Sequence, residues 1–202
     1  MSSAIRDAGE TLITLLRTNL VPDPVAHEEQ IALLSPTEVN QPGSVLISLF
    51  LYSIMPAAEY RNQNEIPGLS ENGEPPSEPL DLYYLLTTYQ QPNNDANDRT
   101  LQTHLLMGAA MRVFFDNAIL TGSALRGGLP RTSELRLTYQ PITVEDMTRI
   151  WSVFPGNSLR TSVSYVLSPV RLISTRTFAS APVVSRQSDV DHLVPAQGVT
   201  VP

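Results

Sequence analysis

The chain has 202 residues with a formal net charge of −7, 42% hydrophobic residues and no cysteine. This length suits one well-cored domain with or without a tail. The missing cysteines exclude disulfides, thiolate metal sites and a cysteine nucleophile. All 13 basic residues are Arg, and the acidic balance argues against a nucleic-acid binder, which needs clustered cations to neutralise phosphates.

Residues 4–20 place Ile5, Ala8, Leu12, Leu15, Leu16 and Leu20 at helical spacing, with Arg17 and Asn19 on the opposite face. This predicts an amphipathic helix that ends at Pro22 and Pro24. Residues 25–34 read as an edge strand stopped by Ser35-Pro36. The run SVLISLFLYSI at 44–54 is apolar on both alternating faces, as in a central strand covered on both sides. It is also the most apolar stretch. It is much shorter than the ~20 residues a bilayer span needs, so no membrane insertion is expected. The N-terminus carries Asp7 and no apolar run behind it, unlike a secretory leader. A cytoplasmic protein is therefore expected, one that leaves the cell only as part of something larger.

Residues 56–79, rich in Pro and Glu and without periodicity, read as a long exposed loop. LDLYYLLTTY (80–89) is strand-like, and PNNDAND (92–98) is a turn whose Asn and Asp side chains can cap the next helix. That helix is predicted over 99–120, its apolar face formed by Leu101, Leu105, Leu106, Ala109, Val113, Phe114 and Leu120. After a connector marked by Gly122, Gly127, Gly128 and Pro130, Leu135, Leu137 and Tyr139 alternate with Arg136 and Thr138 in a strand with one wet face. Thr143-Val-Glu-Asp146 has a capping-box pattern and opens a short helix carrying Val144, Met147, Ile150, Trp151 and Phe154. Val163, Tyr165 and Leu167 begin a last strand that can run past Pro169 to Ile173. The order predicts an α+β fold in which a mixed or antiparallel sheet is packed by about three helices. The domain spans 1–177, and an extended C-terminal arm follows at 178–202.

Catalytic and metal chemistry find little support. His27, His104 and His192 lie far apart in three element types, and no H-x-x-x-H pair occurs. Phosphate-binding glycine fingerprints and the G-x-S-x-G elbow are absent. Asn93, Asp95 and Asn97 have the spacing of a calcium loop, but Asp98 stands at the turn glycine and His104 at the last ligand, so helix capping explains them better. Glu28 and Glu29, adjacent on a strand, would point to opposite faces. No enzyme activity and no cofactor are expected.

Charge is unevenly distributed. Residues 1–98 hold 14 acidic groups and 3 Arg, whereas residues 99–202 hold 6 acidic groups and 10 Arg. Such asymmetry favours head-to-tail contact between copies, provided that the two halves map onto different surface faces. The tail adds Val183, Val184, Leu193, Val194, Val199 and Val201 in a segment that cannot form a core of its own, which reads either as a loosely packed terminus or as an arm that docks on a neighbour as an added strand or extended clamp.

Specific blocks then carry a resemblance. FLYSIMPAAEYRNQ (50–63), PLDLYYLLTTYQ (79–90), DRTLQTHLLMGAAMRVFFDNAILTG (98–122), LRLTYQPITVEDMTRIWSVF (135–154) and LRTSVSYVLSPVRL (159–172) occur in that order. Over about residues 3–175 the chain resembles the tail-terminator, or cap, proteins of phage-tail-like contractile injection systems. The resemblance implies a structural protein built into such a particle. Its copies would form a six-fold ring on the baseplate-distal end of the inner tube and contractile sheath and end their polymerisation. The implied partners are a second copy, the sheath protein and the inner tube protein. Arg136, Arg160, Arg171 and Arg176, together with Val183, Val184, Leu193 and Val194 of the arm, are the candidate subunit or sheath contacts. The alternative is a small regulatory or binding domain that works as a monomer or dimer.

Overall fold

The computed structural model describes residues 3–39, 43–63, 77–92, 95–154, 156 and 158–174. Three helices and a six-stranded mixed sheet make up an α+β fold. Helix α1 spans Ala4–Leu20, β1 Ile31–Ala32, β2 Ile47–Pro56, β3 Ser77–Thr88, α2 Ala96–Asp116, β4 Ile119–Leu120, β5 Leu135–Gln140, α3 Val144–Ser152 and β6 Ser162–Ile173. The strand order is β1-β2-β3-β6-β5-β4, antiparallel except for the parallel β1–β2 pair.

The two 12-residue strands β3 and β6 lie at the centre, paired from Ser77↔Ile173 to Thr87↔Ser162. Alternation sends Leu82, Tyr84 and Leu86 of β3, with Tyr165 and Leu167 of β6, into the main core. There they meet Ala8, Leu12, Leu16 and Leu20 of α1 and Leu106, Ala110, Val113 and Phe114 of α2. Each fully buried leucine contributes about 1.5–3 kcal/mol relative to an exposed one. Leu85 points to the other face, where Trp151 and Phe154 cover it together with Phe50, Tyr52, Met147 and Ile150. Trp151 and Phe154 meet edge to face at 5.9 Å. The short helix α3 thus closes one end of this second face; its first residue, Val144, is exposed. Thr143 Oγ1 accepts the Asp146 amide at 3.1 Å and starts α3 where the sequence places the cap.

Several elements differ from their sequence expectation. The strand expected over 25–34 shrinks to two residues, because Glu28–Gln30 form a 3-10 turn in which the Gln30 side chain accepts the His27 amide. A second 3-10 turn follows at Pro36–Glu38, closed by the Glu38 carboxylate on the Ser35 amide. With so short a neighbour, β2 is covered only at its start: Ile47 and Leu49 are buried, while Ile54 and Met55 are exposed. Of the loop expected over 56–79, Ala58–Gln63 form a 3-10 helix and β3 begins at Ser77, while residues 64–76 lie outside the described residues. Helix α2 stops at Asp116, and Leu120 belongs to β4. The buried face of α2 runs through Thr103, Leu106, Met107, Ala110, Val113 and Phe114, so Leu101 and Leu105 lie outside the core.

A polar tie joins α1 to the glycine connector. The buried Asp7 carboxylate accepts hydrogen bonds from the Ser3 hydroxyl and, at 2.8 Å, from the Gly128 amide. One turn on, the Thr11 hydroxyl donates to the Asp7 carbonyl at 2.7 Å and accepts the Arg126 amide at 3.0 Å. Gly127 has φ +62°, and a Cβ on it would collide with the Asp7 carboxyl. The Gly127-Gly128 pair is therefore a turn fitted around a buried carboxylate.

The Ser3 and Gly128 hydrogen bonds hold the Asp7 carboxyl below its ordinary pKa, outweighing the opposing effect of burial. A depressed folded-state pKa gives stability that is complete above the unfolded value, about 3.9, and is lost as pH falls through the folded one. Asp7→Ala should cost about 1–3 kcal/mol in urea unfolding at pH 7 by leaving the Gly128 amide unpartnered, and the loss should shrink towards pH 2. An equal difference at pH 7 and pH 2 would show that the carboxylate charge plays no part.

Candidate functional site

The sequence-derived cationic contacts separate into distinct places. Arg136 is exposed on β5 and pairs in register with Ser168 of β6. Arg171, further along β6, pairs in register with Pro79 of β3. Both line an open groove of about 560 Å³, together with Tyr60, Ser77, Glu134 and Ile173. Here Arg136 forms a 2.8 Å ion pair with Glu134, and Arg171 donates to the Ser77 hydroxyl at 3.3 Å. Beside the groove the Ser168 hydroxyl donates to Asp81, which sits at the β3 irregularity between Leu80 and Leu82.

Arg160 is elsewhere. Its guanidinium lies 5.1 Å from the centre of the Tyr89 ring. Burial pushes the Tyr89 phenol pKa up, while the Ser48 hydrogen bond and the Arg160 charge pull it down. Arg160 thus supports the end of the sheet instead of extending the groove. Arg176 and the arm residues Val183, Val184, Leu193 and Val194 lie outside the described residues.

The halves of the chain do map onto different parts of the sheet. At the β1 edge the segment after α1 carries Asp23, Glu28, Glu29 and Glu38, all exposed. Arg17 is engaged there, donating to the Ile31 carbonyl at 2.7 Å. The opposite edge, formed by β4, β5 and their connector, carries exposed Arg126, Arg131 and Arg136 with one carboxylate, Glu134. Opposite charge therefore sits on opposite sheet edges. Sequence counting gave the asymmetry; its division between the two edges comes from the strand order.

An exposed apolar stripe on α2 went unrecognised as such. Leu101 and Leu105 lie one turn apart, Phe115 follows ten residues on along the same side beyond Gly108 and the exposed Arg112, and Ile119 continues the line on β4. Phe115 is 83% exposed. Its sequence signal was that α2 has more apolar residues than one face can bury.

Among the described residues no three His, Asp or Glu side chains converge on a metal-sized site. Asp95, from the calcium-like spacing, accepts the Asn97 and Asp98 amides as the cap of α2. His27, Glu28 and Glu29 lie at the exposed first 3-10 turn, and His104 is exposed on α2. No described helix is long and apolar enough to cross a membrane.

A family model described as the Pvc16 N-terminal domain matches residues 7–186. The chain belongs to this family. Two solved structures share its fold. One is the sheath/tube terminator, in the extended state, of the extracellular contractile injection system PVC, with 20% identity and a TM-score of 0.63 over 96% of this chain. The other is the tube-terminating cap of the anti-feeding prophage, with 18% identity and a TM-score of 0.60 over 92% of this chain. This chain spans 65% and 61% of those two chains. No curated protein matches it. The expected likeness to tail terminators is thus met at the level of family and fold.

Since Arg136 and Arg171 are tied only at the surface, the Arg136→Ala, Arg171→Ala double variant should unfold within about 1 kcal/mol of the parent chain. Arg160→Ala should cost more, by the ~0.5–2 kcal/mol of a cation held over an aromatic face. Urea unfolding of the two proteins tests this ranking, and a larger loss in the double variant would reverse it.

Proposed function

We propose that this protein is a terminator of a contractile injection system, a structural and non-enzymatic part of the particle. Its copies close into a six-fold ring at the baseplate-distal end of the inner tube and sheath and stop both from growing. The observation that carries this reading is the opposite charge on the two sheet edges. A cyclic ring needs a heterologous interface in which two different patches of one chain meet. An acidic β1 edge against a basic β4–β5 edge supplies such a pair, and their attraction steers the approach of the next copy. The α2 stripe provides uncovered apolar surface for packing against a neighbouring copy or the last tube or sheath layer.

The family and the terminator fold support the same reading. The two terminators are larger chains, so tube and sheath contacts for this chain are part of the proposal. The residue-level division is also proposed: residues 1–177 form the ring-building domain, and 178–202 act as an arm. The protein is taken up into the particle from the cytoplasm.

Light scattering of the purified protein, alone and mixed with its tube and sheath proteins, tests the ring. The expected mass is six times that of one chain, in at least one of these conditions. Assembly should weaken with salt and with charge reversal at Arg131 and Arg136, and recover when Glu28 and Glu29 are reversed as well. A chain that stays monomeric or dimeric in every mixture would contradict the ring and favour a small binding domain.

A further inference from the structure

The outer edge of β2 is open. β1 pairs with Ile47 and Ser48 alone, and among the described residues no strand pairs with the outer edge from Leu49 to Pro56. That leaves about 27 Å of strand at the usual rise per residue. Proteins protect such edges with charges, prolines, bulges or covering loops. Here the sequence LFLYSIM carries no charge and no proline before Pro56; its one such device is a register irregularity between Leu51 and Ser53, and beyond it the exposed side chains Ile54 and Met55 are apolar. A groove beside it, of about 380 Å³, is lined by Ile5, Leu33, Leu49 and Leu51, with Arg6 and Glu38 also in its wall. Leu33, at its rim, is 42% exposed.

The sheet also fixes where the arm leaves. β6 runs parallel to β2, since both are antiparallel to β3, so the two strands finish at the same end of the sheet. Ile173, the last residue of β6, lines the same groove as Arg136 and Arg171, on the basic side of the molecule. If the basic edge of one copy faces the acidic edge of the next, the root of the arm approaches the neighbour's β2 edge. Residues 175–202 extend beyond this point, and Thr177–Ser185 (TFASAPVVS) are uncharged like the edge itself. Pro182 lacks an amide donor, but an added strand tolerates a proline on its outward side. Within one copy, the 3-10 helix Ala58–Gln63 follows β2 at the same end, and Tyr60 stands beside Ser77 and Ile173 in the path from β6 to the β2 edge.

From these observations we infer that residues 175–202 of one copy add as a strand to the Leu49–Pro56 edge of the next copy, so that backbone pairing locks a contact first steered by charge. The inference rests on the head-to-tail ring proposed above. It makes the arm a second link between subunits, beside the salt-sensitive contact of the charged edges.

The absence of cysteine makes a direct test clean. Two single variants, Ile54→Cys and Val183→Cys, are co-expressed with different tags and oxidised mildly. The set is repeated with Val184→Cys, which faces the other side of an extended strand. Disulfide-linked dimers carrying both tags are expected for at least one of the two pairs, several-fold more abundant than the self-linked products of either variant alone. A particle of six-chain mass with no mixed cross-link from either pair overturns the arm docking and leaves the ring standing. A monomer with no mixed cross-link overturns both. In the Ile54→Cys, Val183→Cys double variant, an intramolecular disulfide without intermolecular ones overturns the exchange between copies, because the edge then takes its own arm.

Discussion

The central pairing of β3 with β6 is the constraint on which the rest of the molecule depends, because these two strands run side by side for ten register positions. Their alternation sets both faces of the sheet at once. Leu82, Tyr84, Leu86 and Leu167 receive α1 and α2, while Leu85 receives Trp151 and Phe154. A one-residue slip would send the leucines of one strand to the wrong face. The contact of Thr87 with Ser162, at 2.9 Å, reinforces the same register, and the Tyr52 hydroxyl of β2 reaches across β3 to Ser164 of β6 at 2.8 Å.

Placing the long strands in the middle leaves short strands outside. β1 and β4 have two residues each, so both edges are irregular, and both are decorated by the segments that lead into them. The segment after α1 brings carboxylates to one edge, and the connector after β4 brings arginines to the other. The buried Asp7 tie holds that connector against α1, so the basic edge has a defined position relative to the core. An assembly built edge to edge would use surfaces fixed by the central strands.

The sequence was informative where one physical pattern acted alone. The α1 stripe, the Thr143 cap and the alternation through Leu135, Leu137 and Leu167 each led to the observed element, and β6 does continue through Pro169 to Ile173. The strand expected at 25–34 failed because side-chain bonds from Gln30 and Glu38 close local turns that compete with pairing. Helical spacing puts Leu101 and Leu105 on the apolar face of α2, but it does not say how wide a face the sheet can cover. Arg136, Arg160 and Arg171 are alike in sequence, yet cross-strand register brings the first and third into one groove and sends Arg160 to Tyr89. The charge asymmetry was countable from the start, but assigning it to two edges required the strand order.

In the proposed function the ring would be a consequence of edge chemistry, and termination would follow from where the ring sits. The most direct test of the central claim is the position of the chain on assembled particles. Electron microscopy of particles carrying a gold-labelled tag at Met1 of this protein should show label at one end, the end away from the baseplate. Label spread along the sheath, or gathered at the baseplate, would contradict a terminator.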